Sequence, residues 1–417
     1  MKRIIAAFYT LLYIIAGPTT LSAQQVTHDP MIRSLVVLEG NHWHKPAIIE
    51  PSRHEVLNVS FDYMSHEYHQ YKYHLQHCEA DWSASEELFD VDWLEGFNDQ
   101  PIDNYAVSIN TTQPYTHYEL QIPNSMTKLK ISGNYLLSII DDDSDETVAE
   151  IRFMVTENSM NVGLGMTTNT EIDVNRTHQQ VLMNVKHAPY DILYPEEQLY
   201  IVVTQNQQWE HAVVNPKPDS QDFNGKGFIW EHCRDLIFPA GNEWRKFEIL
   251  DVSHTTMGLE RITWDGVAYN AYPFVDEDRR NYLTDTDADG AFIIRNSDYT
   301  EIETTCDYVR VNYCLRTPRF DGADVVINGR WATCDDPQAY LMEYDEAARC
   351  YRAAIWQKQG YYNYQYLLRH PDGTTEPAPT EGNFYQTGNT YEAYVYYKGI
   401  GDRTWRLTGF KQLRIEN

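Results

Sequence analysis

Three aspartates at alternate positions, Asp285, Asp287 and Asp289, stand directly ahead of Gly290. Alternating carboxylates before a glycine match the opening of a calcium loop, in which the glycine permits the sharp bend. The twelfth position is Asn296, which lacks the carboxylate that normally binds the ion through both oxygens. The competing reading is a turn whose aspartates accept bonds from local amides. Calcium is thus the one candidate cofactor, with Asp285, Asp287 and Asp289 as its candidate ligands. His66, His69, His74 and His77 also gather, but in a strand over 71–76 the side chains of His74 and His77 point to opposite faces, which defeats a shared metal. No G-x-S-x-G, H-E-x-x-H or P-loop pattern occurs. Gly163-Leu164-Gly165 lacks the third glycine and the βαβ setting of a dinucleotide site. Acidic residues are so frequent that no carboxylate pair for glycoside hydrolysis stands out.

The elements that would position these residues are strands. Val309, Val311, Tyr313 and Leu315 share one face of a period-2 segment; Ile151, Phe153 and Val155 alternate likewise, as do Tyr391, Ala393, Val395 and Tyr397, and Tyr362, Tyr364 and Tyr366. Turn signals separate such runs, among them Pro123-Asn124, Ser132-Gly133-Asn134, Gly241-Asn242 and Pro371-Asp372-Gly373. The expected fold class is all-β: tandem immunoglobulin-like β-sandwiches with one short helix. That helix is placed after Ser83, which forms a capping box with Glu86 ahead of Leu88, Phe89 and Trp93. The acidic run Asp141–Glu146 reads as a hairpin tip between strands. The expected division is 1–23 signal peptide, 24–157 N-terminal sandwich, 158–303 middle sandwich and 304–417 C-terminal sandwich.

Composition limits the partners. Lys and Arg number 33 against 61 Asp and Glu, a net charge of −28. Binding to nucleic acid or anionic lipid draws on cations, so both are excluded as direct partners. Lys2 and Arg3, the uncharged run Ile4–Ala16, the breakers Gly17-Pro18 and the small residue Ala23 follow the order of a cleavable secretory signal peptide. Without a cysteine at the cleavage point, a lipid anchor there is not expected. Of the six cysteines, Cys78, Cys233, Cys306, Cys314, Cys334 and Cys350, none forms a CxxC, so a zinc ribbon or redox pair is unsupported. Export permits disulfides; buried free thiols are the alternative.

An ordered series of segments resembles the type IX secretion system plug proteins. It opens with Tyr71-Lys72-Tyr73, His77-Cys78-Glu79-Ala80-Asp81-Trp82, Leu94-Glu95-Gly96-Phe97 and Tyr105-Ala106-Val107-Ser108-Ile109-Asn110-Thr111. Ser132-Gly133-Asn134-Tyr135, Arg152-Phe153, Gln205-Asn206-Gln207-Gln208-Trp209 and Gly241-Asn242-Glu243-Trp244-Arg245-Lys246-Phe247 continue it. Asp289-Gly290-Ala291-Phe292, Asp307-Tyr308-Val309 and Gly360-Tyr361-Tyr362-Asn363-Tyr364 complete it. The match departs at Thr387-Gly388-Asn389, where an acidic residue is expected in place of Gly388, and at Trp405-Arg406-Leu407, where an Asp is missing. The segments Asp324–Trp331, Met342–Asp345 and Gly360–Tyr366 also resemble early-set immunoglobulin-like domains found beside starch and glycogen enzymes.

The first resemblance implies a protein without enzymatic activity, resident in the periplasm. It implies binding to the periplasmic mouth of the giant outer-membrane β-barrel translocon, closing it when no carrier or cargo occupies it. The membrane would be met only through that protein partner. Candidate contact residues are Asp81, Trp82, Gly96, Phe97, Asn242 and Glu243. The second resemblance keeps a glycan-binding sandwich as the alternative function, with Trp331 and Trp356 as stacking platforms.

Overall fold

The computed structural model describes residues 24–416 apart from Phe223, Gly225 and Tyr299. The proposed signal peptide, residues 1–23, lies outside the described residues. Among them, β-strands supply nearly all of the regular structure, and no helix is long and apolar enough to cross a membrane.

The first sandwich packs two sheets. One runs in the order Gln25–Thr27, Thr147–Val155, Gly133–Asp141, Tyr71–Cys78, Gln100–Pro101. The other runs Ile32–Glu39, Leu57–Tyr63, Thr116–Ile122, Asn104–Val107. Alternation decides which side chains enter the core: Tyr71, Tyr73 and Leu75 from one sheet meet Leu57, Val59 and Phe61 from the other. The acidic run does close a hairpin, between Gly133–Asp141 and Thr147–Val155. There the Asp141 carboxylate accepts the amides of Asp143 and Ser144.

The other two sandwiches do not follow the boundary expected at 303/304. The middle one packs the sheet Asn161–Thr167, His178–Lys186, Gly227–Trp230, Ser220–Asp222 on a second sheet. That second sheet reads Val213–Val214, Leu199–Gln205, Thr390–Tyr397, Arg406–Arg414. Its last two strands come from the end of the chain, with Val203 opposite Ala393. The third sandwich is therefore an insertion within the middle one. Its core joins Phe247 and Ile249, ahead of residue 304, to Val309, Val311, Tyr313, Tyr362 and Tyr366 beyond it. Arg245–Ile249 pairs with Gly360–Arg369, and Tyr269–Pro273 runs parallel to Tyr308–Leu315.

Thr390–Tyr397 is buried along its whole length. Tyr391, Ala393, Val395 and Tyr397 fill the middle core. Tyr394 and Tyr396 face the other way, into a junction with Ile48, Ala80 and Met154 of the first sandwich. One strand thus carries a core on one face and an interdomain contact on the other.

The helical content differs from expectation. Among the described residues there are three α-helices, each of four residues: Asp90–Trp93, Pro195–Gln198 and Ile302–Thr305. Ser83 caps none of them: its amide and hydroxyl both donate to Asp81 Oδ1. The chain after Tyr71–Cys78 turns back in an Asp81-centred loop, with Ala84 bridged to Cys78. The helix starts at Asp90, where the Phe89 amide donates to Asp92 Oδ2 at 3.0 Å. All six cysteines are free, and burial pushes the Cys306 thiol up to about 12.

The interleaved sheets carry a direct prediction. A fragment of residues 158–303 lacks Thr390–Tyr397 and Arg406–Arg414 and should show no cooperative urea transition by near-ultraviolet circular dichroism. Adding residues 304–416 should restore one.

Candidate docking surface

Of the six residues singled out as contacts, Gly96 and Phe97 lie on an exposed two-stranded ribbon. Leu94–Gly96 pairs with Thr127–Leu129, Gly96 opposite Thr127. Gly96 has φ +112, and a Cβ there would sit 1.9 Å from the Met126 carbonyl oxygen. Only glycine allows this approach. The Phe97 amide then donates to Met126 O at 3.1 Å, while its ring is left 68% exposed. Phe89 and Val91, at the start of the helix Asp90–Trp93 that leads into the ribbon, are 75% and 74% exposed, and Met126 is exposed as well. The ribbon and the helix ahead of it thus expose four large apolar side chains, and exposed apolar surface is what protein contacts use.

The other four residues hold the chain to itself. Trp82, at φ +69, meets Trp209 of the middle sandwich edge-on at 5.9 Å and lies under the Arg152 guanidinium. Asp81 shapes the loop beneath it. Asn242 donates to Glu381 O at 2.9 Å. Buried Glu243 accepts the Tyr282 hydroxyl at 2.8 Å and the Gly388 amide at 3.0 Å. Trp82 fixes the crossing between the first and middle sandwiches, Asn242 and Glu243 that between the middle and third; of the six, Asp81, Gly96 and Phe97 are exposed. The exposed apolars Phe89 and Val91 on the helix and Met126 on the ribbon belong to none of the contact motifs; their polar neighbours gave no period by which to find them.

The three aspartates also separate. Asp285 pairs with Lys246 at 2.6 Å. Asp287 accepts the amides of Trp244 and Asp289, and Asp289 accepts the Thr390 hydroxyl at 2.6 Å. Burial and the neighbouring Asp289 charge push the Asp287 carboxyl up to about 7. Among the described residues, no group of three or more His, Cys, Asp or Glu side chains is arranged to hold a metal ion. The segment behaves as a junction that ties the third sandwich to the strand at Thr390. Trp331 likewise offers no stacking face: it is in the third core, donates to Asn363 O at 2.8 Å and is hemmed in by Tyr313, Tyr340 and Tyr362.

A cleft of about 1140 Å³ opens between the outer face of the first sandwich and the third one. Its floor alternates along the strands, through Val36 and Leu38, Asn58 and Ser60, His117 and Glu119. Its opposite wall is Phe292–Ile294, and Met126 at the ribbon's edge belongs to its rim. At its base sits a charge cluster shared by the two domains. Asp62, 0% exposed, accepts His117 Nδ1–H at 2.6 Å, the Tyr308 hydroxyl at 2.7 Å and Lys358 Nζ at 2.8 Å. Lys358, 1% exposed, also donates to Glu303 O at 2.8 Å and stands 4.1 Å from the Tyr115 ring centre. Burial drives the Asp62 carboxyl up, but the Lys358 charge and the His117 bond outweigh it and hold the group below its ordinary value. Burial drives His117 down, and its bonds to Asp62 and Glu119 outweigh that and raise it.

The chain is similar to known proteins both in sequence and in fold. Residues 32–157 match the family described as type 9 secretion system plug protein 1st domain. A hypothetical protein from Parabacteroides merdae, known from its crystal structure, is 33% identical, with a TM-score of 0.89, covering 94% of this chain and 99% of that one. No curated protein matches.

Lys358→Met takes the ammonium from buried Asp62, leaving it the His117 and Tyr308 bonds, and should lower unfolding stability by about 3–5 kcal/mol, with Asp62→Asn/Lys358→Met recovering more than half, read by urea denaturation. The raised His117 pKa contributes stability below about pH 6.5 that is lost as pH climbs through its folded value. The depressed Asp62 pKa contributes above about pH 4 and is lost as pH falls through its folded value. The urea midpoint should therefore fall between pH 6 and pH 9, and fall less in His117→Gln.

Proposed function

The chain belongs to the type 9 secretion system plug protein family, and from that premise we propose that it docks on the periplasmic mouth of the outer-membrane translocon barrel and seals it when no carrier or cargo is bound. The observation that carries this reading is the apolar ribbon around Phe97, inside the family-matched residues 32–157. It is mounted on a body whose three sandwiches share buried strands and charges. A stopper for a wide channel must be broad and must not deform. A sandwich of ~130 residues has a radius of gyration of roughly 14 Å, so three held together cover far more of a lumen than one loop could. The seal must also release, which suits an interface of standard size, about 1,600 Å², rather than an obligate one. An exposed aromatic and aliphatic cluster supplies the anchors such an interface concentrates its energy in. The role is that of a binding protein exported to the periplasm; no step of it calls for catalysis.

Affinity-tagged protein expressed in its own host should retain a giant β-barrel from solubilised outer membranes. Phe97→Asp, at an exposed position, should keep the wild-type melting temperature and retain about tenfold less barrel, the effect of losing ~1.4 kcal/mol. Undiminished capture by Phe97→Asp, or no barrel with the wild type, would contradict the proposal.

A further inference from the structure

The cleft between the first and third sandwiches holds an unused strand edge. Phe292–Ile294 pairs with Gly360–Arg369 on one side only. Asn363 N–H donates to Ala291 O at 3.1 Å and Arg295 N–H to Gln359 O at 3.2 Å, and Ile293 stands opposite Tyr361. In an antiparallel pair the bonded positions alternate, so residues 291, 293 and 295 face the neighbouring strand. Phe292 and Ile294 then present their amides and carbonyls to the other side, along the wall of the cleft. An edge of this kind is a template for another strand. Covering it requires room for an extended backbone, and the cleft, at about 1140 Å³, exceeds the usual ~300–1,000 Å³ of a small-molecule site.

The surroundings specify the segment that fits. Val36, Leu38 and Trp43 offer apolar contacts. The charged rim is acidic: Asp103, Glu119 and Glu303 all line the cleft and all are exposed. Lys358 does not offset them, because its charge is matched by Asp62. Among the described residues, no cation pairs with Asp103 or Glu303. We propose that this cleft binds an extended peptide segment of a partner protein, one alternating apolar and basic residues, which adds as a strand to the free edge of Phe292–Ile294. Main-chain bonds to Phe292 and Ile294 supply the affinity and the acidic rim selects the charge, the division of labour in strand addition. This site does not rest on the plug reading: a peptide can bind here whether or not the ribbon meets a barrel.

The test uses the full chain without residues 1–23 and a fluorescein-labelled decapeptide alternating Val and Lys, read by fluorescence anisotropy. Saturable binding in the micromolar range is expected, with no saturation by the same peptide carrying Glu for Lys. Asp103→Lys/Glu303→Lys should weaken binding about tenfold, or ~1.4 kcal/mol, while Asp143→Lys/Asp321→Lys, an equal charge change elsewhere on the surface, should leave it within about twofold. Of two peptides N-methylated on alternate amides, one set blocks the edge that pairs and the other leaves it open. One should lose binding and the other keep it. Absent binding, equal binding of the Glu peptide, equal effects of the two double variants, or equal behaviour of the two methylated peptides would each overturn the proposal.

Discussion

The buried pair between Asp62 and Lys358 is the constraint on which the arrangement of the molecule depends. Each ion costs several kcal/mol to remove from water. That cost is recovered only while both domains are in place: Asp62 belongs to the first sandwich and Lys358 to the third, and Tyr308, also from the third, completes the ring of donors. Separating the domains would take from the Asp62 carboxylate two of its three donors, Tyr308 and Lys358, and leave it His117 and water. The cluster therefore favours a single relative placement of the two domains more sharply than apolar contact could, since apolar surfaces tolerate sliding and a three-donor carboxylate does not. The cleft above it is open because the domains are joined at its base and not along its length.

A second constraint acts from the opposite side. Thr390–Tyr397 completes the middle sandwich and simultaneously packs Tyr394 and Tyr396 against the first. Glu392, on the same strand and fully buried, accepts the Thr204 hydroxyl at 2.7 Å, and burial pushes it up to about 7. With the third sandwich inserted ahead of this strand, the middle sheet closes only through residues on both sides of the insertion. The chain is three cores but one mechanical body, which is what a seal under load requires.

Much of this was legible in the sequence where the signal is local. Alternation at Tyr308–Leu315 and Ile151–Val155 reports burial on one face of a strand, and the Asp141–Glu146 run reports a tip. The interleaving was not legible, because nothing in the residues at 390–397 says that their partner lies at 199–205 rather than nearby. The helix was misplaced for a physical reason: Ser83 is as good a partner for an Asp81 turn as for a helix end, and local side-chain bonding competes with capping. The Asp285–Asp289 spacing suits a calcium loop or a turn equally, and Lys246 and Thr390, both distant in sequence, take two of the three carboxylates. Phe97 was singled out by resemblance alone; its exposure becomes visible only with the ribbon in place.

On the proposed function, the ribbon of the first domain faces the translocon. A photo-crosslinking residue placed at Phe97 in the living host tests it most directly. The claim predicts an ultraviolet-dependent adduct between this chain and the giant outer-membrane barrel from position 97, and none from position 372, in an exposed turn of the third sandwich. Adducts of equal yield from both positions, or none from position 97, would contradict it.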